Sequence, residues 1–182
     1  MHACLKLFRE DNLSEYNDEI AAYSHLNHAG VEYHIPKVYG VGRRTLLGWG
    51  IDTDTNDTKY YGILMEWLDG ERLTRQNITT DHAITLVTGL SKIHEAGVLH
   101  CDIFDRNILI IPNSKRAVWI DFSSAQTKDV WEKLFPQEMY LSGGLLIGYV
   151  FFCFCSGLIH SSMSGPPKML LPYQTKNRYF YA

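Results

Sequence analysis

The chain has 182 residues, of which 46% are hydrophobic and 20% charged, and its formal net charge is −3. This length suits one domain of ordinary size or a reduced form of a larger one, and the composition is that of a foldable globular protein. The charge provides no basic surface for nucleic acid, so we exclude nucleic acid as a partner. Four cysteines without Cys-x-x-Cys spacing favour a reducing compartment, and the short N-terminal apolar run predicts no secretory signal. We therefore expect a cytoplasmic protein.

The first predicted strand places a lysine among apolar residues. Residues 3–8 alternate between two faces, with Lys6 beside Cys4 and Phe8 on one of them. A lysine in this position needs an anionic partner or a route to water. On an edge strand, its stem can cover apolar surface while the ammonium group reaches solvent.

A helix is predicted next, over residues 14–27, with Ser14 able to cap its first turn. Its apolar stripe consists of Tyr16, Ile20, Tyr23 and Leu26. Glu19 is three residues after Tyr16 and four before Tyr23, so it shares the face of the stripe. Taken alone, Glu19 is a carboxylate at the edge of the stripe that faces water.

Three extended segments follow, over residues 35–40, 45–51 and 59–67. The polar turn before the last of them, residues 52–57, has the composition of a calcium loop. We exclude that interpretation because its sixth position is Asp57 instead of glycine and its twelfth is Ile63 instead of glutamate. A solvated hairpin tip explains the turn better.

A second helix is predicted over residues 80–96, with Gly97 at its C-terminal end. Its apolar face consists of Ala83, Leu86, Val87, Leu90 and Ile93. His94 near its end is interpreted as a structural residue. No set of His and Cys in the sequence has the spacing of a zinc site, so we predict no structural metal.

Two short apolar runs after this helix predict a hairpin. Residues 108–111 and 117–120 are rich in β-branched side chains and flank the turn at residues 112–116. Antiparallel pairing brings Asn107, before the first strand, beside Asp121, after the second. Asp102 is five residues upstream of Asn107. One amide and two carboxylates at one end of a small sheet suit a hard divalent cation that carries phosphates, with one Asp left to handle a proton.

These residues carry a family resemblance. His100-x-Asp102-x-x-x-x-Asn107, followed by Asp121-Phe122, resembles the active-site signature of protein kinases and related small-molecule kinases. The resemblance implies an α+β, partial two-lobed kinase-like fold. Its N-lobe would be a small antiparallel sheet that lacks the first strands, and its C-lobe a reduced helical unit.

The resemblance also implies roles for individual residues. Asp102 would accept the proton of the substrate hydroxyl, and Asn107 and Asp121 would hold Mg²⁺. Lys6 and Glu19 are similar to the kinase lysine on the third strand and its ion-pair partner on the C helix, with Glu15 as the alternative partner. The implied activity is ATP-dependent transfer of the γ-phosphate to a hydroxyl acceptor, either a protein side chain or a small alcohol.

The nucleotide site implied by the resemblance includes a hinge between the lobes. Met65, Glu66 and Trp67 are similar to the strand and hinge whose backbone groups meet the adenine. The predicted cofactors are therefore ATP and Mg²⁺. The alternative interpretation of this segment is a plain strand that leaves into a glycine turn.

The chain also departs from the kinase pattern. Only five residues precede Lys6, so there is no room for the Gly-rich loop that covers the phosphates. Cys101 replaces the arginine before the catalytic Asp, Phe104 stands where protein kinases carry a lysine, with Arg106 as a nearby cation, and Ser123 replaces a glycine. Two alternatives to an active enzyme follow: a pseudokinase or truncated nucleotide-binding module without turnover, and a fragment that does not fold alone.

The predicted organisation has three parts. Residues 1–70 form a partial N-lobe with the C helix and the hinge, residues 71–140 a C-lobe core, and residues 141–182 an apolar segment with an irregular tail. Residues 141–159 carry no charge over nineteen positions. They are interpreted as a buried helix, a membrane-seeking segment or a non-native tail, and membrane association is expected only through them.

Overall fold

Two antiparallel three-stranded sheets, a two-stranded ladder and two sixteen-residue helices make up most of the described chain. The computed structural model describes residues 2–46, 48 and 59–129. The elements in chain order are β1 (Ala3–Phe8), α1 (Leu13–His28), β2 (Val38–Thr45), β3 (Lys59–Glu66), β4 (Glu71–Arg72), α2 (Thr80–Glu95), β5 (Val98–Leu99), β6 (Ile108–Ile110), β7 (Ala117–Trp119) and β8 (Gln126–Thr127). The α+β, partial kinase-like fold is confirmed.

The first sheet has the strand order β1-β3-β2, and α1 packs against it. Lys6 of β1 lies opposite Ile63 of the central strand β3. The apolar stripe of α1 is buried as predicted, with Ile20 only partly covered. The ring of Tyr16 meets Phe8 edge to face, with centroids 5.6 Å apart. The sheet and helix therefore share one core, and Glu19 is carried into it on the stripe.

The second sheet has the order β4-β6-β7 and contains the predicted hairpin. Trp119 of β7 is buried, and its indole N–H donates to the carbonyl of Leu86 in α2, at 3.0 Å. Ile108 pairs with Trp119, and one step further the amide of Ile120 donates to the carbonyl of Asn107, at 3.0 Å. The antiparallel pairing is thus confirmed, and it places Asn107 and Asp121 at the same end of the hairpin.

The ends of α1 and β2 differ from the sequence predictions. Ser14 was expected to cap α1, which is wrong: the N-cap is Asn12, whose side chain makes no capping bond, and Ser14 lies inside the helix. A 3₁₀ turn at Glu10–Asn12 leads directly into the helix and takes the place of a side-chain cap. The strand expected from residue 35 begins at Val38, because Pro36 has no N–H for a ladder hydrogen bond.

The bounds of α2, Thr80–Glu95, agree closely with the predicted helix over residues 80–96. Thr79 precedes the helix, and its hydroxyl accepts from the amide of His82, at 3.2 Å, while His82 Nδ1 accepts from the amide of Thr79. Gly97 follows the helix with a φ of +77°, the left-handed conformation that glycine adopts without strain. The other ring nitrogen of His82 bonds to the carbonyl of Ser114, at 2.8 Å, and so ties the start of α2 to the hairpin turn.

Several predictions fall outside the described residues. These are the interpretation of the turn at residues 52–57, the domain boundary at residue 140 and the three interpretations of residues 141–159. Within the described ranges, no helix is long and apolar enough to cross a membrane.

Gly89 in α2 has no room for a side chain. An added Cβ would lie 2.8 Å from Nδ1 and 2.9 Å from Cγ of the buried His34. In an open helix, alanine in place of glycine raises stability by about 1 kcal/mol. Here we expect Gly89→Ala to lower the free energy of unfolding by about 1–3 kcal/mol, because the close contact forces the helix and His34 apart.

Urea unfolding checks this prediction. Thr88→Ala, at the exposed neighbouring position, is the matched control and should leave the unfolding free energy unchanged or slightly higher. A Gly89→Ala variant as stable as the control would contradict the close packing of α2 on His34.

Candidate active site

Lys6 lies between two carboxylates from distant parts of the chain. Its Nζ donates to Glu19 Oε2 at 2.6 Å and to Asp121 Oδ1 at 2.8 Å. Glu19 is completely buried, whereas the side chain of Asp121 is 41% exposed. The structure pairs Lys6 with Glu19, the residue on the apolar stripe of α1. One ammonium group thus links β1, α1 and the end of the hairpin.

The charges of this trio shift the pKa of each member. Burial by itself would lower the pKa of Lys6, but Glu19 and then Asp121 outweigh it and raise the pKa above the usual value. Burial raises the pKa of Glu19, with Lys6 only partly opposing it. For Asp121, burial acts upward, but Lys6 and Ser123 hold the pKa below its usual range. The exposed carboxylate is therefore the one best kept as an anion.

The backbone and neighbours of Asp121 fix its direction. Its φ is +64°, in the left-handed region that aspartate tolerates better than most residues. The hydroxyl of Ser123 donates to Asp121 Oδ1, at 2.6 Å, which is the oxygen that also receives Lys6. Phe122, fully buried, packs its ring on Tyr23 at 5.3 Å and on His100 at 4.6 Å. All three hydrogen bonds that the described residues give this carboxylate, from Lys6 Nζ and from the hydroxyl and amide of Ser123, use Oδ1, which leaves Oδ2 as an acceptor.

His100 anchors the end of the hairpin by a hydrogen bond to its backbone. It is buried, and burial is the main cause of a pKa below the usual histidine value. In the neutral ring, Nε2–H donates to the carbonyl of Ile120, at 3.1 Å. Because Ile120 immediately precedes Asp121, this hydrogen bond anchors the backbone that presents the carboxylate.

Two buried histidines and one partly buried histidine predict a lower stability in mild acid. Burial lowers the pKa of His34, His94 and His100 in the folded chain. The unfolded chain therefore binds more protons below about pH 6.5, and stability falls as the pH falls through that range. We expect the urea midpoint at pH 5.5 to be lower than at pH 7.5. The variant His2→Gln, which changes an exposed histidine, should keep the same difference; equal midpoints for the wild type would contradict the prediction.

Asp102 and Asn107 form a second cluster, in the segment between β5 and β6. The side-chain nitrogen of Asn107, Nδ2, donates to Asp102 Oδ2, at 2.7 Å, and to the Asp102 carbonyl, at 2.9 Å. Arg106 Nη2 contacts both carboxylate oxygens of Asp102, at 2.7 and 2.9 Å. Asn107 is buried, and because its nitrogen faces Asp102, its Oδ1 is the atom left for another ligand.

The three predicted hinge residues lie at the end of β3 and immediately after it. Met65 is buried in β3, opposite Cys4, and Trp67 is 55% exposed. The carboxylate of Glu66 receives two hydrogen bonds from Arg116, at 2.8 and 3.0 Å, and its amide donates to the carbonyl of Lys37. In the described chain, no hydrogen bond or ion pair joins these residues to Lys6 or Asp102, so their nucleotide contact stays a prediction.

Sequence reasoning missed three contacts of the site and its surroundings. The i,i+4 spacing of Asp102 and Arg106 is a signal that could have revealed their ion pair. The kinase pattern has a glycine at the position of Ser123, so the pattern gives no signal for the bond from the Ser123 hydroxyl to Asp121. Arg116 had no local signal at all, because its partner Glu66 is fifty positions away.

The paired lysine, the amide–carboxylate loop and the carboxylate after the hairpin are arranged as the resemblance to kinase-like phosphotransferases implies. The profile of the APH phosphotransferase enzyme family matches residues 2–98, which is 97 of the 182 residues. The chain belongs to this family. The match ends just before His100, so the assignment of Asp102, Asn107 and Asp121 rests on their motif and geometry. No curated protein matches the chain.

Proposed function

We propose that this chain transfers the γ-phosphate of ATP to the hydroxyl group of an acceptor, with Mg²⁺ as its metal. The observation that carries the proposal is the position of Lys6, between Glu19 and Asp121, at distances of 2.6 and 2.8 Å. A charged lysine held at the exposed carboxylate of a phosphotransferase fold is placed to neutralise phosphate oxygens. The acceptor is a protein side chain or a small alcohol, and the proposed location is the cytoplasm.

The residues at the end of the hairpin fit a magnesium ion. Within residues 2–46, 48 and 59–129, the hydrogen bonds of these two side chains leave Asn107 Oδ1 and Asp121 Oδ2 available. Among the described residues, no group of three or more His, Cys, Asp or Glu could hold a metal ion. Magnesium needs no such group, because it takes one or two protein oxygens and completes its shell with water and phosphate oxygens. Bound there, the ion would neutralise charge on the phosphates.

The chain's own groups then have separate tasks in the transfer. The acceptor oxygen bonds to the γ-phosphorus while the bond from that phosphorus to the β-phosphate oxygen breaks, and the acceptor proton passes to Asp102. Lys6 stabilises the negative charge of the phosphates, and Glu19 fixes the direction of Lys6. Asn107 holds the carboxylate of Asp102 by its amide nitrogen.

One observation favours a second candidate, a nucleotide-binding module without turnover. Arg106 contacts both oxygens of Asp102, so the candidate base is already an ion pair. A base that stays fully paired would not accept a proton, and such a chain would bind ATP and release no ADP.

Two measurements on the purified chain distinguish these functions. A ligand that binds only the native state raises the melting temperature, so both candidates predict a thermal shift with ATP and Mg²⁺. Only the phosphotransferase predicts ADP release above background. Absence of a shift at millimolar ATP and Mg²⁺ would refute both, and a shift without ADP release would favour the binding module.

A further inference from the structure

The two oxygens of the candidate base are not equivalent. Asp102 Oδ2 accepts from Arg106 Nη2 at 2.9 Å and from Asn107 Nδ2 at 2.7 Å. Among the residues that the structure describes, Oδ1 accepts one hydrogen bond, from Arg106 Nη2 at 2.7 Å. Each carboxylate oxygen has two acceptor positions. Oδ1 therefore keeps a position for a further donor, such as an acceptor hydroxyl, whereas Oδ2 is saturated by the protein.

Arg106 is itself held by its neighbours. Its backbone amide donates to Asp105 Oδ1 at 2.8 Å, at the 3₁₀ turn formed by Asp105–Asn107. Its guanidinium lies over the ring of Phe104, 4.3 Å from the centroid, although that ring is 52% exposed. A planar guanidinium can stack on a ring and donate from its edge at the same time, which an ammonium group cannot do.

We propose that Arg106 is a positioning residue, which turns the Asp102 carboxylate so that Oδ1 meets the acceptor hydroxyl. This inference rests on the proposed phosphotransfer. Without Arg106, the carboxylate would be held through Oδ2 alone and could rotate about that single contact. Misplacement of a catalytic group by about 1 Å can lower a rate 100-fold, so its orientation is a direct determinant of turnover.

The test compares Arg106→Ala and Arg106→Lys with the wild type, by ADP release from ATP and Mg²⁺ with water or glycerol as the probe acceptor. We expect Arg106→Ala to lower kcat by about 10- to 100-fold and to leave the KM for ATP unchanged. Arg106→Lys should recover only part of the loss, because lysine keeps the charge but not the stacked, planar group. Arg9→Gln removes an exposed arginine, and it serves as the charge-matched control with unchanged kcat.

Chemical rescue separates a positioning role from a merely structural one. Free guanidinium at a non-denaturing concentration should raise the ADP release of Arg106→Ala, and sodium at the same ionic strength should not. A rate loss that follows lowered thermal stability and shows no rescue would overturn the proposal. So would an unchanged kcat in Arg106→Ala.

A measurement that does not depend on turnover distinguishes failure of the positioning role of Arg106 from failure of the proposed phosphotransfer. Urea unfolding of Arg106→Gln, Asp102→Asn and the double variant measures the coupling of the two side chains, which we expect to be non-additive. Additive effects would overturn the inference. ADP release that requires Asp102 but not Arg106 would refute only the positioning role. If the two side chains are coupled but the wild-type chain releases no ADP, the proposed phosphotransfer is refuted, and the positioning role with it.

Discussion

Replacing Asp102 by asparagine is expected to lower phosphate transfer about 10²- to 10⁴-fold, the range that a positioned general base contributes. Asparagine keeps the size of the side chain and a hydrogen bond to its neighbours, but it cannot take a proton. The variant should therefore fold and should keep the thermal shift with ATP and Mg²⁺. The measurement is ADP release, with the melting temperature recorded on the same samples.

The control for this variant is Asp11→Asn, which changes an exposed aspartate on the 3₁₀ turn before α1. It should release ADP at the wild-type rate. If Asp102→Asn turns over ATP as fast as this control, Asp102 is not the base, and another group accepts the proton.

Replacing Lys6 by methionine is expected to destabilise the fold by about 3 kcal/mol, the lower end of the cost of leaving a buried charge without its partner, because the Lys6 side chain is itself 29% exposed. Glu19 is fully buried and bonds to Lys6 at 2.6 Å, so the variant leaves a carboxylate without its cation inside the core. Nucleotide binding should be lost with the ammonium group. Urea unfolding measures the first effect and the thermal shift with ATP the second.

The matched variant is Lys6→Met combined with Glu19→Gln, which removes both charges. It should recover most of the lost stability and none of the nucleotide binding. Burial raises the pKa of Glu19, so in Lys6→Met the carboxylate should protonate in mild acid, which relieves part of the loss. A single variant as stable as the double variant at neutral pH would show that the buried pair does not matter.

Short-range patterns in the sequence were sufficient for the parts of the fold that hold the site. The alternation around Lys6, the stripe that carries Glu19 and the two runs that frame Asn107 and Asp121 are each set by the period of one element. The ends of elements were less predictable, as at Ser14, because a preceding 3₁₀ turn replaced the expected cap. The rules for helix caps do not predict the 3₁₀ turn at Glu10–Asn12.

The sequence predicted a contact between two elements only where a known motif contains both residues of the contact. The kinase-like spacing linked Lys6 to Glu19 across thirteen residues. No motif linked Glu66 to Arg116, and the Arg116 guanidinium holds the pKa of that carboxyl below its usual range. Such a pair depends on how the hairpin turn packs on the end of β3, which neither segment's own pattern encodes.

A crystal structure of the chain with Mg²⁺ and a non-hydrolysable ATP analogue tests the proposed nucleotide site most directly. We expect a magnesium ion bound by Asn107 Oδ1 and the Asp121 carboxylate, with Lys6 Nζ against a phosphate oxygen and Asp102 Oδ1 open to an acceptor. A nucleotide bound elsewhere, or Asp121 bonded only to Lys6 and Ser123 with no cation beside it, would contradict this expectation.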